Sequence, residues 1–170
     1  QNIVVSAPTG VAALNVGGET IHPFLRFKPG TTPDKVRRAR KKDADLYRGL
    51  DAIVIDEVSM VRADLMDCVE TFMRLNGREP GKPFGGAQLI LFGDLYQLPP
   101  VVTAAEQEVF SAYYEGPYFF NAKAFKTAKL ERLELEKIYR QKDNGFIEIL
   151  NAIRDNRVSP AQLARLNERV

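Results

Sequence analysis

The stretch at residues 50–61, LDAIVIDEVSMV, decides the fold because it holds an apolar run that ends in two adjacent carboxylates. Residues 52–55 are apolar on consecutive positions, a pattern typical of a strand buried on both faces of a parallel sheet. Asp56 and Glu57 then fall at the carboxyl end of this strand, which is where open α/β sheets bind their ligands. The pattern predicts an α/β protein with a site at this edge of its sheet.

Two interpretations of the Asp-Glu doublet are open at this point. An ionised carboxylate beside so much apolar surface is costly unless a positive charge lies against it. In one interpretation the doublet is a Walker B element, in which Asp56 holds the magnesium ion of a nucleoside triphosphate and Glu57 polarises the attacking water. In the other, a plain strand is followed by a solvated acidic turn, and apolar runs that end in Asp-Glu are common.

Composition excludes few classes of protein. A chain of 170 residues can form one domain with a hydrophobic core. No apolar run approaches the roughly 20 residues of a membrane helix, and the N-terminus lacks the layout of a signal peptide. We therefore expect a cytosolic or nuclear protein without membrane contact. Cys68 is the single cysteine and lies within a helical pattern, which favours a buried hydrophobe over a reactive thiol.

The N-terminal segment predicts a strand, a turn and a short helix. Ile3, Val4 and Val5 form an apolar run without a polar lead-in, so we expect the chain to begin within a domain. The sequence Pro8-Thr9-Gly10 then breaks the strand, and residues 11–14 predict a helix. The amides at such a helix start can hold a phosphate, although a plain strand-to-helix turn has the same pattern.

Two further features near the N-terminus have both a structural and a nucleic-acid interpretation. His22 and Phe24 lie close to Thr20; a single histidine is usually structural, but beside a nucleic-acid groove this group can bond a phosphate and stack on a base. Residues 26–42 contain eight basic side chains against one acid, Asp34. This segment is either a solvated basic surface or one that raises the rate of nucleic-acid association.

A second strand end also carries polar groups. Apolar residues recur at spacings of three and four over residues 62–75, which predicts an amphipathic helix that packs on the sheet. Residues 89–92 predict the next buried strand, and Asp94 and Gln97 follow it at the same edge as the Asp-Glu doublet. An amide such as Gln97 can contact a terminal phosphate or a catalytic water; taken alone, it is more often a hydrogen-bonding residue of a loop.

The rest of the chain predicts further elements. We expect a mobile or surface helix within residues 35–50, aromatic core residues within 106–125, a strand at 130–135 and a helix at 144–154. The pair Ser159-Pro160 is typical of the start of a last helix.

Four segments, taken together and in this order, resemble the Pif-type helicases of superfamily one, relatives of RecD that move 5′ to 3′ on single-stranded DNA. The resemblance implies an α/β RecA-like P-loop NTPase fold, a parallel sheet flanked by helices, with ATP and Mg²⁺ as cofactors. It also implies an ATP-dependent DNA helicase that acts in genome maintenance, with single-stranded DNA as its partner. The segments are SAPTGVAALNVGGETIHPF at 6–24, VIDEVSMV at 54–61, LFGDLYQLPPV at 91–101 and YRQKDNGFIEILNAIR at 139–154.

The resemblance implies roles for five residues on the nucleotide side. Asp56 matches the magnesium ligand, and Glu57 matches the residue that activates water. Asp94 and Gln97 match the motif that couples the terminal phosphate to the DNA site. Arg140 matches the arginine that reaches this phosphate, where a guanidinium contributes on the order of 10³-fold or more to the rate. A surface salt bridge is the ordinary alternative for Arg140.

The resemblance implies a second group of residues on the DNA side. Pro8, Thr9 and Gly10 match the motif that lines the DNA groove. His22 and Phe24 match the segment that touches the backbone and the bases of the strand.

One departure from the family pattern concerns the phosphate loop. No G-x-x-x-x-G-K-S/T sequence occurs in the 170 residues. We therefore expect a fold truncated at the N-terminus, in which residues 1–135 form most of the first motor domain and residues 136–170 lead toward a second. Alone, such a chain should be inactive and, without an inner strand of its sheet, poorly soluble.

Three further expectations concern the intact protein. We expect a monomeric motor, in the cytoplasm and on the nucleoid of a bacterium, or in the nucleus or mitochondria of a eukaryote. The main alternative is a non-catalytic DNA-binding or scaffold module with a degenerate RecA-like fold. Another P-loop ATPase, such as a clamp loader or a metabolic kinase, is a weaker alternative, because the DLYQLPPV and IYRQ segments have no place in those proteins.

Overall fold

The computed structural model describes residues 2–38, 44–126, 128, 130–135, 137, 139 and 143–168. The chain forms two compact units, Gln1–Leu130 and Glu131–Val170. No helix in these described ranges is long and apolar enough to cross a bilayer. The elements are β1 (Ile3–Ala7), α1 (Gly10–Asn15), β2 (Glu19–Thr20), α2 (Ile21–Leu25), α3 (Pro33–Arg37), α4 (Asp45–Arg48), β3 (Ala52–Ile55), α5 (Ala63–Asn76), β4 (Gln88–Leu91), α6 (Ala104–Ser111), α7 (Asn144–Arg154) and α8 (Pro160–Asn167).

The first unit is built on a parallel sheet with the strand order β2-β1-β3-β4. Ser6 of β1 lies opposite Ile55 of β3, and Ile55 lies opposite Leu91 of β4. Because these strands are parallel and in register, their carboxyl ends meet at one edge. The predicted α/β fold with a parallel sheet is confirmed, and β3 lies between two neighbours.

The two faces of the sheet are covered to different extents. Ile53 and Ile55 share one cluster of buried side chains with Phe72 of α5. Alternate residues of a strand point to opposite faces, and Val54, on the other face, is only half-buried. Ala7 packs there with α1 in a second, small cluster. The prediction that β3 is buried on both faces is therefore confirmed for the face that packs against α5. Among the described residues, the other face is only partly covered.

Helix α5 organises the main core, as its spacing of apolar residues predicts. Asp67 on this helix is buried, and its carboxylate accepts hydrogen bonds from the Tyr114 hydroxyl at 2.9 Å and from the backbone N–H of Ala124 at 2.8 Å. Burial and the Asp67 carboxylate raise the pKa of Tyr114.

Cys68 is buried as predicted, and burial raises the pKa of its thiol to about 12, so the thiol stays protonated.

In the second unit the predicted helices are present and the predicted strand is not. The Asp143 carboxylate accepts from the N–H of Phe146 at 3.0 Å and starts α7. Ser159 and Gln162 cap α8 in a reciprocal pair of bonds. No strand forms at residues 130–135, where Leu133 is 93% exposed. The leucines of this segment, at 130, 133 and 135, do not alternate with polar residues, and a strand also needs a neighbour to pair with.

Candidate functional site

The Asp-Glu doublet lies directly at the carboxyl edge of the sheet. The N–H of Asp56 donates to the Ser6 carbonyl at 2.9 Å, which continues the pairing of β3 with β1 by one residue. Asp56 and Glu57 are half-buried, and neither carboxylate has a hydrogen bond or an ion pair with any described residue. Two adjacent, half-buried carboxylates without a protein cation leave their negative charge available to an external cation.

Glu57 has a strained backbone. Its φ of 50° and ψ of 41° lie in the left-handed region, which costs a non-glycine residue about 1–2 kcal/mol. Such strain is concentrated at functional sites. A short 3₁₀ turn, Val58–Met60, follows at once, and we call residues 56–60 the Asp-Glu turn.

The turn is hydrogen-bonded to the segment after β4, residues 92–103, which we call the Gln97 loop. The N–H of Val58 donates to the Phe92 carbonyl at 2.9 Å. At Gly93 the two backbones approach so closely that a Cβ would lie 3.1 Å from the Val58 nitrogen. A side chain there would push the loop away from the turn. The structure thus brings the two predicted polar groups to one edge of the sheet.

Within the loop, Asp94 and Gln97 occupy different environments. The Asp94 carboxylate accepts from the N–H of Tyr96 at 2.9 Å, and the Asp94 carbonyl accepts from the N–H of Gln97 at 3.0 Å. Asp94 therefore shapes a tight turn, and the Gln97 side chain is exposed beyond it. The nucleotide contact of both residues stays a prediction.

The segment Pro8-Thr9-Gly10 joins β1 to α1 beside the doublet. The Thr9 hydroxyl accepts from the N–H of Ala12 at 3.3 Å and caps the helix. Gly10 is exposed, with open space where a Cβ would stand. The arrangement is a strand-to-helix turn with an accessible backbone, and its place in a DNA groove stays a prediction.

His22 and Phe24 lie on α2, but the structure separates them. His22 is half-buried, with its ring edge-on to Phe27 at 6.3 Å between centroids. Phe24 is only 7% exposed and packs edge-on against Tyr47 at 5.6 Å. The expectation that Phe24 stacks on a base is therefore corrected, because its ring is already part of the core. Arg140 lies outside the described residues.

Two residues of this region were missed by reasoning from sequence. Ser59, in the Asp-Glu turn, is fully buried, and its hydroxyl is the buried side-chain atom without a hydrogen-bond partner in the described part of the chain. Arg62, just before α5, is 23% exposed and bonds Asp64 through two nitrogens at 3.0 and 2.9 Å. The sequence features that could have identified them are a serine within an otherwise apolar turn, for Ser59, and an arginine directly before a helix, for Arg62.

Arg62 also reaches the far end of the Gln97 loop. Its Nη1 donates to the Glu106 carboxylate at 3.0 Å and to the Val101 carbonyl at 3.4 Å. Its guanidinium lies 5.2 Å from the centroid of the Phe110 ring, a distance at which a cation is attracted to the ring face. Glu106 in turn accepts from both the hydroxyl and the N–H of Thr103.

These bonds predict a pH-dependent contribution to stability. Hydrogen bonds from Thr103, then from Arg62, lower the pKa of Glu106 from 4.5 to about 2. A carboxyl with a lowered folded-state pKa stabilises the fold fully above its unfolded value, and this stabilisation is lost as the pH falls through the folded value. Glu106→Gln should therefore lower Tm above pH 4.5, and the difference from wild type should shrink as the pH falls toward about 2. Thermal unfolding across this range checks it; a difference in Tm that does not change with pH would contradict it.

The residues present fit a magnesium ion that arrives with phosphates. Carboxylate oxygens are hard ligands of the kind that Mg²⁺ takes, and proteins usually bind this ion through one or two carboxylates plus water and substrate phosphates. Asp56 supplies such a carboxylate, and the neighbouring Glu57 carboxylate lies close enough to the same edge of the sheet to face a water there. No group of three or more His, Cys, Asp or Glu side chains able to hold a metal occurs among the described residues.

A parallel sheet whose inner strand ends in unpaired carboxylates, beside a second loop at the same edge, is an open α/β domain of the class that binds ligands at the carboxyl ends of its strands. A family model described as PIF1-like helicase matches residues 1–163. The chain belongs to the PIF1-like helicase family.

Individual relatives agree with this assignment. The chain is 40% identical to the human ATP-dependent DNA helicase PIF1 over 92% of its length, and 37% identical to the Saccharomyces cerevisiae helicase RRM3 over 91%. It covers 23% and 21% of these proteins, so it spans about a fifth of their length.

Solved structures show the same fold. The Bacteroides Pif1 helicase in complex with ADP-AlF3 and single-stranded DNA superimposes with a TM-score of 0.90 at 42% identity. This match covers 99% of the chain and 40% of the Bacteroides protein. The Candida albicans Pif1 helicase matches with a TM-score of 0.74 at 36% identity, over 95% of the chain and 35% of that protein. The RecA-like fold predicted from the motifs is confirmed.

Proposed function

We propose that a full-length protein carrying this chain is an ATP-dependent DNA helicase that moves 5′ to 3′ on single-stranded DNA. The single observation that carries the proposal is the shared edge: the unpaired Asp56 and Glu57 carboxylates and the Gln97 loop follow neighbouring parallel strands. Membership of the PIF1-like helicase family and the likeness to a nucleotide- and DNA-bound relative support it.

On the nucleotide side, each residue has a distinct task. Asp56 holds a magnesium ion, which neutralises phosphate charge when it is bound with ATP. Glu57 accepts a proton from the water that attacks the terminal phosphate. Gln97, exposed on its loop, donates through its amide to this phosphate, and Arg140 neutralises the charge that develops there.

On the DNA side, the contacts are chiefly to phosphates. The turn at Pro8–Thr9–Gly10 offers backbone groups to the DNA, and His22 on α2 offers its imidazole. Exposed cations follow on the same segment, among them Arg26, Lys28 and Arg38. Because phosphate contacts do not read the bases, binding should show little sequence preference, and the affinity should depend strongly on salt.

The test is ATP turnover by the full-length protein with and without single-stranded DNA. We expect turnover to rise when the DNA is added. We also expect the affinity for the strand to fall with salt, with a logarithmic slope of about −0.7 for each phosphate contact. A duplex with a 5′ single-stranded tail should be unwound, and one with a 3′ tail should not.

The alternative is a non-catalytic DNA-binding or scaffold module with a degenerate RecA-like fold. DNA binding without ATP turnover in the full-length protein would support this alternative and reject the helicase. We propose that the protein acts where DNA is kept, on a bacterial nucleoid or in a eukaryotic nucleus or mitochondrion, and that its motor is a monomer.

A further inference from the structure

The Gln97 loop is tied to the rest of the first unit at its two ends. At the start, Phe92 bonds Ile55 and Val58 through its backbone, both at 2.9 Å. At the end, Val101 accepts from Arg62, and Thr103 bonds Glu106. Between these anchors the middle of the loop is open to solvent, with Tyr96 and Leu98 each 68% exposed, whereas Pro100 is buried and Val102 packs against the main core near the end of the loop. The middle of the loop therefore depends on its anchors for its position.

The contacts at the end of the loop depend on one side chain, that of Arg62. The Arg62 guanidinium makes four hydrogen bonds, to Asp64, Glu106 and the Val101 carbonyl. The planar fork of arginine bonds a carboxylate through two nitrogens at once, which a lysine cannot do. Asp64 is on α5, whereas Glu106 is on α6, so Arg62 bridges two helices across the end of the loop.

Arg62 is separated from the Asp-Glu turn by one residue, Val61. Val61, between them, is fully buried. The backbone at this point is held independently of the Arg62 side chain, since the N–H of Ala63 donates to the Pro117 carbonyl at 2.9 Å and residue 62 pairs with Tyr118. A change of the Arg62 side chain therefore removes the loop anchor and leaves these backbone links in place.

We propose that Arg62 is a positioning residue, which sets the place of the Gln97 loop against the Asp-Glu turn and so couples single-stranded DNA to ATP turnover. This inference rests on the proposed function. Arg62 itself touches neither nucleotide nor DNA in this scheme; it acts through Val101 and Glu106. Small displacements of positioned groups cost up to about a hundredfold in rate, so the loss of one of two anchors should be measurable.

The test measures kcat and KM for ATP in the full-length protein, with and without single-stranded DNA. Arg62→Ala should lower the DNA-stimulated kcat about tenfold and leave KM within about twofold, because the chemistry and not the binding of ATP is disturbed. Arg62→Lys, which keeps the charge and loses the fork, should fall between Arg62→Ala and wild type. Glu106→Ala should cause a similar loss, and the double variant should be no slower than Arg62→Ala, because the two residues act as one unit.

Arg74→Ala is the matched control. Arg74 is at the other end of α5, where it pairs with Glu70 at 2.6 Å and bonds the Gly81 carbonyl at 2.8 Å, away from the loop. Its loss removes a comparable ion pair from the same helix, and kcat should stay at the wild-type value. Thermal unfolding of each variant shows whether the fold is kept; should Arg62→Ala not fold, Arg62→Lys decides the question.

The outcomes separate this inference from the proposed function. A wild-type protein without DNA-stimulated turnover overturns both. With a stimulated wild type, a normal kcat in the Arg62 variants overturns this inference alone. A loss that Arg74→Ala shares, a rise in KM without a fall in kcat, or a double variant about a hundredfold slower than wild type overturns it as well.

Discussion

Glu57→Gln is expected to lower DNA-stimulated ATP turnover by about 10² to 10⁴-fold, the contribution of a positioned general base. The substitution keeps the size of the side chain and removes its ability to take a proton. Nucleotide binding should be largely retained, because Asp56 and its charge remain. A turnover assay with saturating single-stranded DNA, together with binding of a fluorescent ATP analogue, measures the two effects separately.

Asp51→Asn is a suitable control for Glu57→Gln. Asp51 precedes the same strand at its opposite end, where its carboxylate pairs with Arg78 at 2.8 Å and accepts from the N–H of Asn2. It is an acid beside β3 that lies away from the proposed site, so turnover should be kept. Normal turnover in Glu57→Gln would remove Glu57 from the mechanism. Equal losses in both variants would point to a fault in the fold and not in the chemistry.

Phe24→Ala is expected to destabilise the domain by about 3–5 kcal/mol, the usual cost of truncating a buried phenylalanine. The ring is 7% exposed and lies between α2 and Tyr47. The Tyr47 hydroxyl donates to the Phe24 carbonyl at 2.9 Å, so the ring and the backbone are held by one neighbour. Because domains are stable by only about 5–15 kcal/mol, the variant should unfold at markedly lower urea concentration.

His22→Ala distinguishes a DNA contact from a core contact on the same helix. His22 is half-buried, and its ring lies edge-on to Phe27, so the loss of this side chain should cost about 1 kcal/mol or less in stability. If the imidazole bonds a DNA phosphate, single-stranded DNA should bind more weakly to this variant, while DNA-free ATP turnover stays the same. Unchanged DNA affinity would mean that the groove does not include His22. A stable Phe24→Ala protein with weakened DNA binding would restore the stacking role for Phe24.

Much of the fold could be predicted because its signals are local. Helix α7 and the cap of α8 follow from residues within a few positions of one another, such as Ser159, Pro160 and Gln162. The apolar run before Asp56 identified β3, and the run before Gly93 identified β4. The strand expected at residues 130–135 does not form, because a strand depends on pairing with a distant partner that the local sequence does not specify.

The candidate site could be predicted in outline only. Parallel strands place their carboxyl ends at one edge, so the order of the motifs along the chain was enough to bring Asp56, Glu57 and Gln97 to the same border of the sheet. The side chains that hold those groups were not predictable. Arg62 reaches Glu106 across 44 positions of sequence, and no periodicity or spacing reports such a contact.

By itself, the sequence determined the class of fold, the order of the strands' polar ends and the family, because these depend on hydrophobic period, helix caps and short motifs that each act over a few residues. Only the tertiary structure decided that Phe24 is core, that Glu57 is strained, that Ser59 is buried without a partner and that Arg62 anchors the Gln97 loop. Those properties arise from packing between segments far apart in the chain, where burial and hydrogen-bond geometry are set by neighbours that local sequence does not specify.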